Sequence, residues 1–422
     1  MQPKPGDTVL LKLKSGEEHE GLFLPSADIT LITLKLPSGY NKVTLKTNVK
    51  LISVKKKASD KKNFSKKISQ DEKLPKIIII HTGGTIASKV DYKTGGVTPL
   101  FSPHELLKLF PELRKIAHIH SLELFNVLSE NMNFTHYNAI AKEIAKWAPK
   151  VKGIIVTQGT DVLHYTASAL AFMVENLDIP VLVVGSQRSS DRGSSDAAMN
   201  LLSAAYFISK SDYQGVGICM HASSEDNSCY ILPPHNTRKM HTSRRDAFRP
   251  INQHPIAEID VHNEKIKYFK ELNNKPKGKL SVDLFDEKLK IGIVKSRPHF
   301  PAEELAFFEK FDGIILEGTG FGHIAIMNPQ IKKNLKMLTK KMPVVAVSQC
   351  IYGRVDLNIY SAGREMIECG VVPSNGGLTP ETAYLKLAWM LSNFEKESIP
   401  DLFNQDYRGE VIDRITYGTF LR

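Results

Sequence analysis

Two hydroxyl-bearing, glycine-flanked turns concentrate the chemistry of this 422-residue chain. The first is Thr82-Gly83-Gly84-Thr85, which follows an isoleucine-rich run at 76–81. The second is Gly159-Thr160-Asp161, which follows GIIVTQ at 153–158. Glycine lets the backbone approach a ligand closely and take positive φ. Neighbouring N–H groups can donate to a developing oxyanion, each donor typically worth ~10²–10³ in rate. Loops of this composition either cradle a phosphate or place a nucleophilic hydroxyl. A third segment, TRKMHTSRRDAF at 237–248, supplies an amine, Lys239. A threonine hydroxyl is a weak nucleophile and needs an adjacent base or proton relay. Together Thr, Lys and Asp could provide one: the hydroxyl attacks, the amine handles the proton, and the carboxylate orients the amine. Asp161 near Lys239 favours the ammonium form, whereas a base must be neutral, so burial has to offset the attraction.

These groups need a scaffold that brings distant turns to one edge. Residues 76–81, 153–158 and 180–185 are apolar without alternation, as expected of strands buried on both faces. Residues 162–177 carry helical apolar spacing, so strand, helix and strand form a right-handed βαβ unit. A second series of strands is expected at 290–294, 313–316 and 343–347, with helices at 301–311, 328–341 and 380–392. Thr379 is placed to cap the last helix. In open parallel sheets ligands bind beyond the carboxyl ends of the strands, and both glycine turns fall there.

The fold expected is therefore α/β: two lobes with mainly parallel sheets, preceded by a small all-β barrel. Residues 1–54 read as five short strands separated by turns such as Lys14-Ser15-Gly16. Residues 55–75, with eight lysines, read as a linker. Residues 76–278 form the larger α/β domain that carries the candidate catalytic groups, and 279–422 the smaller one. The formal net charge of +11 is uneven, because residues 1–75 hold fifteen lysines against eight acids. Such a terminus either meets a polyanion, RNA foremost, or acts as a solvated tether.

Several classes drop out. The longest apolar runs fall well short of the ~18 residues a membrane span needs, and the N-terminus has no signal-peptide core. A cytoplasmic protein is expected. The four cysteines, Cys219, Cys229, Cys350 and Cys369, lack zinc-site spacing and are expected as buried reduced thiols. No motif for a metal, dinucleotide or P-loop nucleotide is present.

TGGTIAS (82–88) and QGTD (158–161) resemble the two signature motifs of the L-asparaginase/glutaminase family, and the resemblance runs over residues 76–422. It implies Thr85 as nucleophile and Thr160, Asp161 and Lys239 as a second hydroxyl–carboxylate–amine cluster. Ser129 and Glu130, in SENMN, resemble the family's grip on the substrate's α-carboxylate and α-amino groups. Gly84 and Gly159 join them as substrate-binding candidates, and Tyr92 sits where the family has a mobile lid. Two departures stand out. Bacterial asparaginases usually read HGTD where this chain has Gln158, and Gln where it has Glu130.

The basic N-terminal module, with SQRSSDRGSSDAAMNLLSA (186–204) and RKMHTSRRDAFRP (238–250), is similar to the D-subunit family of archaeal-type glutamyl-tRNA(Gln) amidotransferases. That resemblance implies hydrolysis of glutamine to glutamate and ammonia. The ammonia passes to a separate E subunit that activates Glu-tRNA(Gln) with ATP and Mg²⁺, so no cofactor is expected on this chain. A homodimer within a heterotetramer is implied as well. Two other readings compete: a free-standing L-asparaginase, and a small-barrel RNA-binding protein with an inactive hydrolase domain. Elsewhere, Ser194-Ser195-Asp196 reads as a helix N-cap, and His164 as a structural histidine. Arg244 and Arg245 read as partner or RNA contacts, or as solvated charges.

Overall fold

A computed structural model of the chain describes residues 3–26, 28–38, 40–57, 69–84, 86, 88–90, 97–99, 103–190, 193–272, 276 and 278–420. Thr85 and Tyr92 lie outside the described residues.

The N-terminal module is a five-stranded antiparallel sheet. Its order is Asn41–Leu45, Leu31–Lys35, Glu18–Leu24, Thr8–Leu13 and Val49–Lys56. Alternation sends Val9, Leu11 and Leu13 inward against Ile32 and Leu34, while Leu10 and Lys12 between them are only half-buried. Ahead of the next sheet, the Gln70 side chain covers an edge. Its amide donates to the Ile119 carbonyl at 3.0 Å and accepts the Ile119 N–H at 2.8 Å.

That sheet has eight strands, in the order Lys265–Tyr268, Ala257–Asp260, Cys229–Leu232, Gly215–His221, Pro180–Val184, Gly153–Thr157, Lys76–His81 and His118–Glu123. The last five run parallel, and the first three extend the sheet antiparallel. Non-alternating strands pack on both faces. Ile78, Ile80, Ile154 and Val156 meet the helices Phe134–Trp147 and Leu163–Met173. Ile77, Ile79 and Ile155 meet the helix Ala197–Lys210. Burying each large aliphatic side chain contributes roughly 1.5–3 kcal/mol.

Strand order reverses at Lys76–His81. The strand His118–Glu123 lies on one side, and the later parallel strands lie on the other. Such a reversal opens a crevice at the carboxyl ends of the neighbouring strands, here Lys76–His81 and Gly153–Thr157. Both glycine turns begin there.

The smaller lobe is a four-stranded parallel sheet of Ile291–Lys295, Gly313–Gly318, Val344–Ser348 and Val372–Pro373. Its helix Pro380–Asn393 shares one core with Leu163–Met173 of the larger lobe. Thr379 caps it, its hydroxyl accepting the Thr382 N–H.

Three expectations change. The helix expected over 162–177 ends at Met173, because Val174–Glu175 pairs antiparallel with Ser281–Val282 from the segment between the lobes. The helix expected over 301–311 is α-helical only at Ala302–Ala306 and tightens to 3₁₀ over Phe307–Lys310. Cys350 is exposed beyond a strand end, while Cys219, Cys229 and Cys369 are buried. Among the described residues no helix is long and apolar enough to cross a membrane.

Candidate active site at the strand-order reversal

The two glycine turns are stitched together before any side chain reaches a ligand. Thr82 sends both its N–H, at 3.1 Å, and its hydroxyl, at 2.9 Å, to the Thr157 carbonyl. The Thr157 hydroxyl in turn lies 2.9 Å from His81 Nδ1. Gly83 and Gly84 have φ of +122° and +83°, a region that disfavours side chains. Space is as restrictive as angle. A Cβ on Gly84 would stand 2.4 Å from the Gly159 nitrogen, and one on Gly83 would stand 2.2 Å from the Val127 carbonyl oxygen. A Cβ on Gly159 would stand 3.0 Å from that of Ser129. Gly84, Gly159 and Ser129 therefore form one contiguous floor.

Ser129 is buried in the single turn Ser129–Asn131, and its Oγ accepts the Asp161 N–H at 3.3 Å. Glu130 is its exposed neighbour. Thr160, nearly buried, stands just ahead of the helix Leu163–Met173. Lys239 Nζ donates to Thr160 Oγ1 at 2.9 Å and to Asp161 Oδ1 at 2.8 Å. The Lys239 side chain is 10% exposed and that of Asp161 64%, so the pair is wet on the carboxylate side and dry on the amine side. The structure thus brings Thr160, Asp161, Lys239, Ser129, Gly159 and Gly84 together. Thr85 directly follows Gly84 in the chain.

Lys239 arrives on a two-stranded ribbon, Thr237–Lys239 against Phe248–Pro250. Sequence reasoning missed what holds it. Asn236, fully buried at φ +56°, accepts the Thr379 N–H at 3.0 Å and donates from Nδ2 to the Glu410 carbonyl at 2.9 Å. Its own N–H goes to Thr382 Oγ1 at 3.0 Å. Arg238 pairs with Glu381 at 3.1 Å. The amine's mooring is therefore in the smaller lobe. Glu410 itself is tied to Lys386 in a fully buried ion pair.

The arginines after Lys239 make intramolecular ion pairs, with Arg244 still more than half exposed. Arg244 forks onto Asp246 with two 2.8 Å bonds, and Arg249 joins the same carboxylate at 2.8 Å. Arg245 reaches Asp226 at 2.5 Å and is 11% exposed, so a free contact surface is not its arrangement. His164 is pushed down to about 3 by burial, with the Arg238 and Lys239 cations adding to the effect, and so stays neutral.

The expected cap at 194–196 also differs. Asp196 makes no side-chain cap bond; its carboxylate instead accepts the Gln187 and Arg188 N–H groups at 2.9 Å each. Ser195 Oγ takes the Ala197 N–H at 3.2 Å. That turn lays Gln187 beside the site, with Thr160 Oγ1 donating to Gln187 Oε1 at 3.4 Å. Gln187 lay in a segment read only for its resemblance, and no spacing rule links it to Thr160.

A hydroxyl flanked by an amine and an amide, beside glycine N–H groups at a sheet's carboxyl edge, can handle protons and stabilise an oxyanion during acyl transfer. The family profile "Asparaginase, N-terminal" matches residues 76–274, and "Glutaminase/Asparaginase C-terminal domain" matches residues 290–403. The chain is 40% identical to the D subunit of glutamyl-tRNA(Gln) amidotransferase from Thermococcus kodakarensis, across 99% of this chain and 96% of that protein. It is 40% identical to the same protein of Pyrococcus furiosus, across 99% and 97%. For Methanococcus maripaludis the identity is 38%, across 97% and 98%. Among solved structures, the L-asparaginase of Thermococcus kodakarensis superposes with a TM-score of 0.73 at 28% identity, covering 80% of this chain and all (100%) of that one. L-asparaginase I of Vibrio cholerae gives 0.70 at 28%, covering 80% and 99%. The chain belongs to the asparaginase/glutaminase family and, within it, to the D-subunit group of glutamyl-tRNA(Gln) amidotransferases.

Proposed function

We propose that this chain is the glutaminase subunit of a tRNA-dependent amidotransferase. Family membership supports an amidotransferase subunit with amidohydrolase-type activity. In the finer reading, the Thr85 hydroxyl attacks the side-chain amide carbon of glutamine. The C–N bond then breaks, ammonia leaves with the transferred proton, and water hydrolyses the resulting ester to glutamate. Thr160 and the glycine-turn N–H groups stabilise the oxyanion, while Lys239 moves the proton and Asp161 orients it. Ser129 and Glu130 hold the amino-acid end of the substrate, and Tyr92 covers it.

Ammonia passes to an E subunit, where Glu-tRNA(Gln) activated by ATP and Mg²⁺ becomes Gln-tRNA(Gln); the nucleotide and metal belong to that partner. This makes the complex a glutamine-hydrolysing, ATP-dependent ligase of the cytoplasm, built on a homodimer of this chain within a heterotetramer. One observation carries the reading: Lys239 Nζ lies within 2.9 Å of Thr160 and 2.8 Å of Asp161 at the strand-order reversal. The test is glutamine hydrolysis by the purified chain alone, then with an E subunit and Glu-tRNA(Gln). Strong stimulation by the full set supports the proposal.

A second reading, a free-standing L-asparaginase, is favoured by the superposed structures, both of them L-asparaginases. High asparagine hydrolysis by the isolated chain, unaffected by partner or tRNA, would decide for it.

A further inference from the structure

We propose that Gln187 contacts the substrate itself, its Nε2 donating to the carbonyl oxygen of the amide under attack, with its Oε1 holding the Thr160 hydroxyl hydrogen until the substrate oxygen takes it. The inference rests on the amidase reading and adds a residue to it.

Among the described residues Thr160 Oγ1 has two hydrogen-bond partners, Lys239 Nζ at 2.9 Å as donor and Gln187 Oε1 at 3.4 Å as acceptor. The hydroxyl is thereby oriented, with its hydrogen toward the carboxamide and a lone pair toward the amine. The other half of that carboxamide is idle. Gln187 Nε2 is cut off from solvent and has no hydrogen-bond partner among the described residues. Buried donors are nearly always satisfied, so an idle one beside a reactive hydroxyl points to a group that arrives with the ligand.

The donor is also held in place. Both N–H groups of Gln187 and Arg188 rest on the Asp196 carboxylate at 2.9 Å, and Asp196 is fully buried. Asn200 Nδ2 bonds that carboxylate at 3.1 Å and the Gly185 carbonyl at 2.9 Å, and Ser195 Oγ donates to the Arg188 carbonyl at 2.8 Å. The backbone on either side of Gln187 is fixed, so the amide needs little reorganisation when charge develops.

The chemistry suits a carboxamide. As a hydroxyl adds to the substrate carbonyl, its oxygen gains negative charge and an N–H donor binds it more tightly than in the ground state. An amide neither takes nor gives up a proton near neutrality, so it does not compete with Lys239.

The experiment is steady-state glutamine hydrolysis by the full chain, in its partner complex, for Gln187→Met and Gln187→Glu, with thermal midpoints measured alongside. Gln187→Met lowers kcat about 10²-fold with KM within about threefold. Gln187→Glu falls further, because a carboxylate repels the oxyanion. The inference is overturned if Gln187→Met keeps kcat within about threefold, or if the loss sits in KM. It is also overturned if the chain unfolds, or if Gln187→Glu is at least as active as Gln187→Met. A wild-type complex that hydrolyses no amide removes the amidase reading instead, which separates the two failures.

Discussion

Asn236 and Thr379, 143 positions apart in the chain, are joined by a 3.0 Å hydrogen bond from the Thr379 N–H to Asn236 Oδ1. This bond ties the ribbon that carries Lys239 to the cap of a helix in the other lobe. The site is therefore a joint property of both lobes, although its reactive side chains all come from one.

Replacing Asn236 by alanine removes both side-chain contacts and leaves the buried Thr379 N–H and Glu410 carbonyl unpaired, at φ +56° where alanine is strained. The expected destabilisation is about 3–5 kcal/mol. Urea unfolding should register it, together with a kcat loss as Lys239 shifts. Unchanged stability would mean the lobes do not hold the ribbon through this residue.

Gly84 and Gly16 separate space from angle. Both have positive φ, but a Cβ on Gly16 meets nothing within 4 Å, whereas one on Gly84 meets the Gly159 nitrogen at 2.4 Å. Gly16→Ala should cost about 1 kcal/mol and leave activity intact. Gly84→Ala should lower kcat by at least ~10², since small displacements at a reacting centre have that effect. Equal kinetics for the two variants would separate the glycine floor from catalysis.

Thr160 and Lys239 form one hydrogen-bonded unit, so their losses should not add. Thr160→Val and Lys239→Met are each expected to cost about 10³ or more in kcat, with the double variant close to the worse single. A multiplicative double variant would show two independent functions.

Burial holds three histidines far below their ordinary 6.5: His81 at about 4, His164 at about 3 and His235 at about 3. Each stays neutral in the folded chain while the unfolded chain takes up a proton below pH 6.5. Stability is therefore full above 6.5 and falls as pH drops toward 4, by at most ~4 kcal/mol per pH unit for the three together. His221 goes the other way. Burial alone would lower it, but the Cys229 thiol and the Asp226 and Asp196 carboxylates outweigh that. Its stabilisation fades above 6.5, outside this window. Unfolding free energies measured across pH 4–6.5 should show the slope, and His164→Gln should flatten it by about a third; a flat profile would contradict the buried-neutral assignment.

The two glycine turns were readable because each follows a buried strand, where non-alternating aliphatic runs announce a parallel sheet and its carboxyl edge, whereas Lys239, on its antiparallel ribbon, has no such signal. Lys76–His81 and Gly153–Thr157 placed both turns in this way. What holds those groups was not readable. Asn236, Thr379 and Glu410 meet only through tertiary folding, and no periodicity connects them. Asp196 is suited by type to a helix cap, yet its carboxylate is claimed by the 187–188 turn. The end of the helix at Met173 was hidden because the apolar spacing continues into Val174–Glu175, whose pairing partner Ser281–Val282 lies over a hundred residues away.

The most direct measurement is acid-quenched mass spectrometry of the complex during glutamine turnover, with the acyl group mapped by peptide. A glutamyl ester on the peptide containing Thr85, increased when water attack is slowed, is the result expected. An ester on Thr160, or glutamine turnover with no acylated threonine at all, would contradict the account.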